Sequence, residues 1–309
     1  MKIEEIHQLF LKAKSVSTDT RTLEKGTLFF ALKGENFNGN EFAHKALGLG
    51  ASYCVIDEKQ EPNNERFILV DNVLETLQNL AYYHRKFLNI PIVALTGSNG
   101  KTTTKELLNA VLSQHFNTHA TQGNFNNHIG VPLTLLQMNK STDIGSVEMG
   151  ANHMGEIAAL CVIAAPNYGY ITNFGKAHLE GFGSVEGVVK AKSELYDYLK
   201  HNKGTIFLNA DDEKQVKQVG NYQKRITFSE RNHADFTIEL QKETYVFDEM
   251  QQQLKLEVQA ARSSCRLAVE NLQNAQKTLA LAENIEQKNQ VKFYEGLATS
   301  FELYQAQQQ

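Results

Sequence analysis

A lysine and three threonines set behind two glycines, at the end of an apolar run, could hold phosphate. In Leu95-Thr96-Gly97-Ser98-Asn99-Gly100-Lys101-Thr102-Thr103-Thr104 the glycines let backbone N–H groups turn inward, and a helix start adds partial positive charge. Lys101 offsets phosphate charge, and the Thr102 hydroxyl can hold Mg²⁺. The residues expected to bind a nucleotide are therefore Gly97, Ser98, Asn99, Gly100, Lys101, Thr102 and Thr103. The spacing Gly-x-x-Gly-Lys-Thr departs from the strict phosphate-loop pattern, which would place glycine where Leu95 stands. An ordinary strand-to-helix turn is the plainer alternative, although Gly-Lys-Thr-Thr-Thr directly after an apolar strand is uncommon.

Other residues could supply the rest of a reaction. Glu148 closes an apolar run, and a carboxylate at a strand's C-terminal end sits where α/β sheets place metals and ligands. His178 follows another strand end, Lys192 lies on a helical stretch, and Asn124, Asn126, Asn127 and His128 crowd one polar loop. Taken singly each has a bland reading: a structural carboxylate, a surface histidine, a solvated lysine, a polar loop.

The elements that must position these groups alternate. Residues 27–32, 53–57, 92–96, 145–149, 168–172 and 205–209 read as strands, separated by helix-length segments such as 73–88 and the one opening near Thr102. That alternation predicts an α/β fold with a mostly parallel sheet and flanking helices. A boundary is expected at 88–91, where a helix ends before Pro91. From about Phe247 the chain becomes rich in Gln, Ala and Leu. Of its 20 glycines, 19 precede residue 221. Leu254, Val258, Ala261, Cys265, Ala268, Leu272, Ala275, Leu279 and Ala282 alternate steps of four and three, the seam of a coiled coil or one face of a long helix.

Composition excludes several classes. Thirty-one Lys+Arg against 35 Asp+Glu give a formal charge of -4, with no bulk attraction to nucleic acid or anionic lipid. No apolar run approaches a membrane span, the acidic start is unlike a secretory signal, and three scattered cysteines form neither a disulfide framework nor a zinc cluster. A cytoplasmic protein is expected.

Residues 1 to about 245 resemble the Mur ligases, ATP-dependent amide-bond-forming enzymes of peptidoglycan precursor synthesis. The resemblance is carried by Ser17-Thr18-Asp19-Thr20-Arg21, by Gly26 to Gly34, and by the Thr96–Thr104 loop. It continues through Gly123 to Pro132, Glu148-Met149-Gly150-Ala151, Ala177 to Gly183 and Ala191-Lys192-Ser193-Glu194-Leu195. It implies catalytic roles for Lys101, Glu148, His178 and Lys192, with Thr102, Glu148, His178 and a CO₂-carboxylated Lys192 around Mg²⁺. It implies that Ser17, Asp19, Arg21, Lys33, Gly34, Asn124 and Asn127 cradle the UDP-sugar substrate. The Asn-rich loop and Ala-His-Leu-Glu-Gly-Phe-Gly point to the member that joins D-Ala-D-Ala to UDP-MurNAc-tripeptide through an acyl phosphate. Residues 247–309 resemble instead the helical hairpin of TolC-type outer-membrane efflux proteins, through Leu254 to Arg262, Ala268 to Leu272 and Tyr294 to Ser300. The expected organisation is a UDP-substrate domain (1–88), a truncated ATP-binding domain (89–246) and a helical tail (247–309). The expected activity is that of a ligase impaired by loss of its C-terminal domain. The alternative is a non-catalytic nucleotide-binding chimera that self-associates through the tail.

Overall fold

Ile92-Val93-Ala94-Leu95-Thr96 carries no exposed position, and a strand apolar on both faces belongs in the middle of a parallel sheet. The computed structural model describes residues 1–175, 182–238 and residue 288, and places this strand, β7 (Ile92–Thr96), in the interior of a seven-stranded sheet, with neighbours on both sides. The others are β8 (Thr118–Ala120), β9 (Ile144–Glu148), β10 (Tyr168–Ile171), β11 (Thr205–Asn209), β12 (Arg225–Ser229) and β13 (Phe236–Thr237). Their order is β13-β12-β11-β10-β7-β9-β8, and every pairing is parallel. Four of these strands, β7, β9, β10 and β11, correspond to strands read from the sequence, which did not name β8, β12 or β13. The chain leaves β7 for β8 at one edge, returns through β9 beside β7, then crosses to β10 on the other side. Loops diverging in opposite directions from one strand end open a crevice there, and α/β sheets bind ligands at such a point.

The N-terminal part has its own four-stranded parallel sheet, in the order β1 (Val16–Ser17), β2 (Leu28–Phe30), β5 (Tyr53–Ile56), β6 (Phe67–Leu69). A short antiparallel pair, β3 (Lys33–Gly34) and β4 (Phe37–Asn38), projects from it. Phe29, Ala31, Cys54 and Ile56 pack on α2 (Ala43–Gly48). Leu28, Phe30 and Val55 face the other way and join the larger core.

That larger core is organised by α3 (Val73–Leu88). Val73, Leu77, Leu80, Ala81 and His84 recur at helical spacing and are buried, while the Asn72 side chain accepts the Glu75 N–H and fixes the helix start. One flank of α3 meets α1 (Ile3–Lys12); the other meets α5 (Gly130–Gln137) and α6 (Glu156–Ala164). Arg85 reaches across to cap α6: Nε donates to Ala164 O at 3.1 Å, and Nη2 to Ala165 O at 3.0 Å and Asn167 Oδ1 at 2.7 Å. A guanidinium satisfies the orphan carbonyls of a helix C-terminus and complements its dipole. α3 ends at Asn89 in the left-handed region (φ 51°), and β7 begins three residues later.

Three further helices complete the described part: α4 (Lys101–Leu112), α7 (Val185–His201) and α8 (Glu213–Val219). No described helix is long and apolar enough to cross a membrane. The heptad register, the resemblance to an efflux hairpin and any self-association through the tail concern residues outside the described ones. So does His178.

Where α1 meets α3, His7 Nε2 and His84 Nδ1 lie 3.0 Å apart, and His84 Nε2 lies 2.9 Å from Met138 O. The carbonyl can only accept, so His84 carries its proton on Nε2, its Nδ1 accepts, and His7 donates. Burial first, and the neighbouring His84 second, push His7 down to about 4 from 6.5; burial also lowers His84. A base depressed on folding contributes stability that is whole above its unfolded value and lost as pH falls through the folded one. Thermal unfolding should therefore show stability falling between pH 6.5 and 4, by roughly 3 kcal/mol for His7. His7→Phe, with an aromatic ring beside Phe10, Tyr83 and Phe87 but no proton to bind, should flatten the profile; equal slopes in both proteins would refute this assignment.

Candidate active site

β7 delivers the chain to Gly97, which has φ of 144°. A side chain there would collide with Thr172 beyond β10, so the loop can lie against the neighbouring strand's exit only with glycine. Gly100 (φ 76°) then turns the chain into α4, whose first amides have no side-chain cap. Uncapped amides at a helix N-terminus suit an anion.

The loop is held from outside. Ser98 N–H donates to Asn173 O (3.1 Å) and Asn99 N–H to Asn173 Oδ1 (3.1 Å). Thr172 Oγ1 and Asn173 Nδ2 donate to Asn99 O at 2.6 and 3.0 Å, and Ser98 Oγ accepts Gly175 N–H at 2.9 Å. Lys101 folds over the loop and donates to Gly97 O at 2.9 Å. Thr103 lies on the exposed side of α4.

Opposite stands Glu148, at the end of β9 and 1% exposed. Its Oε2 accepts the Thr102 hydroxyl at 3.1 Å, its Oε1 accepts Asn126 Nδ2 at 3.0 Å, and its own N–H donates to Thr121 Oγ1 at 3.0 Å. Among the described residues it makes no ion pair. A buried carboxylate served only by neutral donors leaves a local negative potential that favours a cation. The described residues hold no cluster of three His, Cys, Asp or Glu. One carboxylate and one hydroxyl are hard oxygen donors, and that sparse set fits Mg²⁺, which relies on water and phosphate for its remaining ligands.

Lys192, on α7, is 2% exposed, with Nζ 3.3 Å from Ala151 O and 5.5 Å from the centre of the Phe182 ring. Burial first, then the Lys101 charge, pull it down to about 8, against the raising influence of Glu156 and Glu194. Roughly a fifth of the amine is then neutral near pH 7.4, against about a thousandth for an ordinary lysine. Only the neutral amine can combine with CO₂.

Two cavities flank this centre. One, of about 550 Å³, is lined by Lys101, Asn126, Asn127, Gly150, Ala151 and Glu156 among others. The second, of about 670 Å³, is lined by Ser17, Asp19, Asn124, Asn127 and Gly130 among others. Asn127 belongs to both. Arg21, Lys33 and Gly34 do not line the second cavity. Arg21 is exposed and grips Asp19 through Nε (3.0 Å) and Nη2 (2.6 Å), holding that carboxyl down to about 2. Lys33 pairs with Asp57 at 2.9 Å and Glu58 at 2.8 Å.

Three supporting residues had no role assigned to them from sequence. Lys105, fully buried, donates to Thr121 O at 2.6 Å and pairs with Glu106 at 2.7 Å. Its signal was present: it lies three residues after Thr102, on the same helix face. Glu194 accepts the Gly155 and Ala158 N–H groups (2.7 and 2.9 Å) at the start of α6, a contact that spans some forty residues and has no local signature. Asn126 was one asparagine among three.

Known proteins share this architecture. A family model described as the Mur ligase middle domain matches residues 95–282, and one described as the Mur ligase family, catalytic domain, matches residues 12–85. The UDP-N-acetylmuramoyl-tripeptide–D-alanyl-D-alanine ligase of Bacillus subtilis is 40% identical over 226 residues, covering 72% of this chain and 49% of that protein. Its Escherichia coli counterpart is 44% identical over 198 residues, covering 64% and 43%. A crystal structure of MurF from Acinetobacter baumannii superposes with a TM-score of 0.66 at 31% identity, over 74% of this chain and 53% of that one. MurF from Thermotoga maritima in complex with ADP gives 0.64 and 34%, over 72% and 52%. The chain thus spans about half the length of these relatives. Matches running from residue 12 to residue 282, with about three quarters of the chain superposable on MurF, correct the expectation of an impaired ligase and its chimeric alternative. The middle-domain match crosses the junction expected near residue 246.

Because a Cβ at residue 97 has no room, Gly97→Ala should lower stability by about 1–3 kcal/mol and abolish nucleotide binding. Melting curves with and without ADP check this, and a variant as stable and as ADP-responsive as wild type would contradict the packing argument.

Proposed function

We propose, from the premise that the chain belongs to the Mur ligase family, that it carries out ATP-dependent joining of D-Ala-D-Ala to UDP-MurNAc-tripeptide. The relatives named for that reaction support the substrate assignment. The observation that carries the reading is the Thr102–Glu148 contact at the mouth of the glycine loop, a buried carboxylate meeting the first turn of a helix that starts with a lysine.

In this reading the amides of Gly97 to Thr103 and the Lys101 ammonium receive the ATP phosphates. A carboxylate oxygen of the tripeptide attacks the γ-phosphorus and ADP departs, giving an acyl phosphate. The free amine of D-Ala-D-Ala then attacks the acyl carbon, loses a proton and expels inorganic phosphate, leaving the amide. Such transfers depend on positioning and charge neutralisation, which matches a site of amides, lysine and carboxylate without a nucleophilic side chain. Thr102 and Glu148 would hold Mg²⁺, with His178 and Lys192 as further candidate positions; bound there, the ion offsets phosphate charge. Carboxylation would convert Lys192 from cation to anion, and its lowered pKa supports that assignment. The cavity lined by Ser17, Asp19, Asn124 and Asn127 would take the UDP-sugar end. Arg21, Lys33 and Gly34 remain candidates for the same cradle, provided Arg21 and Lys33 exchange their present carboxylate partners.

Lys101→Ala should reduce phosphate release dependent on ATP, UDP-MurNAc-tripeptide and D-Ala-D-Ala by at least about a hundredfold. Wild-type turnover in that variant would remove the loop from the mechanism. Turnover by the wild-type protein should also fall in CO₂-free buffer and recover with bicarbonate, while Lys192→Arg stays low in both. Indifference of the wild type to bicarbonate would dismiss the carboxylated lysine.

A further inference from the structure

We propose that Asn126 is a positioning residue that couples the metal-binding end of this site to the neighbouring substrate cavity. The inference rests on the functional reading above and deepens it. Asn126 holds the end of β9 in two ways. Its side chain donates to Glu148 Oε1 at 3.0 Å, and its backbone carbonyl accepts the Gly150 N–H at 2.7 Å. A carboxylate can only accept, so the amide must present Nδ2 to it. Gly150 leaves space for this arrangement, since a Cβ there would lie 3.0 Å from Asn126 Cγ and Oδ1. The Asn126 N–H also donates to Asn124 O at 2.7 Å, which ties the clasp to the preceding turn of the same loop.

That loop is a wall shared by two cavities. Asn126 and Asn127 line the one that contains Lys101 and Gly150, whereas Asn124, Phe125 and Asn127 line the one that contains Ser17 and Asp19. The position of the wall is therefore felt by ligands on both sides. On the metal side, besides the backbone bond to Gly150, its side-chain anchor is one hydrogen bond to a buried carboxylate that has no cationic partner among the described residues. A cation bound by Thr102 and Glu148 restricts rotation of that carboxylate, and so secures the Asn126 amide and the wall behind it. Without the cation the carboxylate can turn and release the amide. A ligand that favours one position of the wall raises the affinity of any second ligand that needs the same position, and the effect is reciprocal.

Calorimetric titration of the full chain with UDP-MurNAc-tripeptide, with and without saturating MgADP, reads this coupling directly. In the wild type MgADP should tighten binding about fivefold or more, the lower end of ordinary coupling. Asn126→Ala keeps the backbone bond to Gly150 and loses only the amide donor, and Asn126→Asp keeps the shape and loses the same donor. Both should bring the factor to within about twofold of unity, and the alanine variant should raise the Mg²⁺ concentration needed for ADP binding. If the alanine variant fails to fold, the aspartate variant carries the comparison. Variants that lose affinity or melting temperature but keep the wild-type coupling factor would show a merely structural role and overturn the proposal, as would a wild type that binds both ligands independently. A wild type that binds neither removes the functional reading and this inference together.

Discussion

A carboxylate placed almost wholly out of water, with two neutral donors and no counter-charge among the described residues, is the constraint around which the described structure is arranged. Glu148 can be tolerated there only if its oxygens are met, and Thr102 on α4 and Asn126 on the polar loop meet them, while Thr121 accepts its backbone N–H from a third place. Keeping those groups within hydrogen-bond reach requires β7 and β9 in register, α4 starting directly after the glycine loop, and the 121–130 segment folded back over the strand end. The unmet charge is a standing cost to stability of the kind that functional sites retain.

The N-terminal part is bound to this arrangement by α3. One helix buries its apolar side against both sheets' cores and sends Arg85 to the end of α6, whose start is capped by Glu194 from α7. Both ends of α6 are thus fixed by charged side chains from other helices. Since α6 follows the Met149–Gly155 turn, these distant caps also hold the Ala151 carbonyl that Lys192 contacts.

Much of this was legible in the chain. The strands 92–96 and 205–209 and the helix 73–88 match their structural limits because short apolar runs in the strands, apolar positions at helical spacing in the helix, and flanking breakers encode them locally. The glycine loop was legible from residue type alone. β8 and β12 were not, because Thr118-His119-Ala120 and Arg225-Ile226-Thr227-Phe228-Ser229 are polar or mixed and become strands only through partners. α4 is a deeper failure of pattern reading. Its one buried residue is Lys105, while Leu107 and Val111 are 64% and 69% exposed, so hydrophobic periodicity would orient it backwards. The pairing of Glu148 with Thr102 followed from the family resemblance; its dependence on Asn126 needed coordinates, since adjacent asparagines are indistinguishable in sequence. Arg21 and Lys33, named from the same resemblance, are engaged by neighbouring acids instead of facing the cavity.

Lys101 rests on the carbonyl of Gly97, four residues before it. An incoming polyphosphate therefore does not meet a bare ammonium; it competes with an acceptor the loop already supplies. The attraction a nucleotide gains from this lysine is the difference between two acceptors, smaller than the bond viewed in isolation. Release is correspondingly eased, because the departing anion hands the lysine back to a waiting oxygen and leaves no stranded charge.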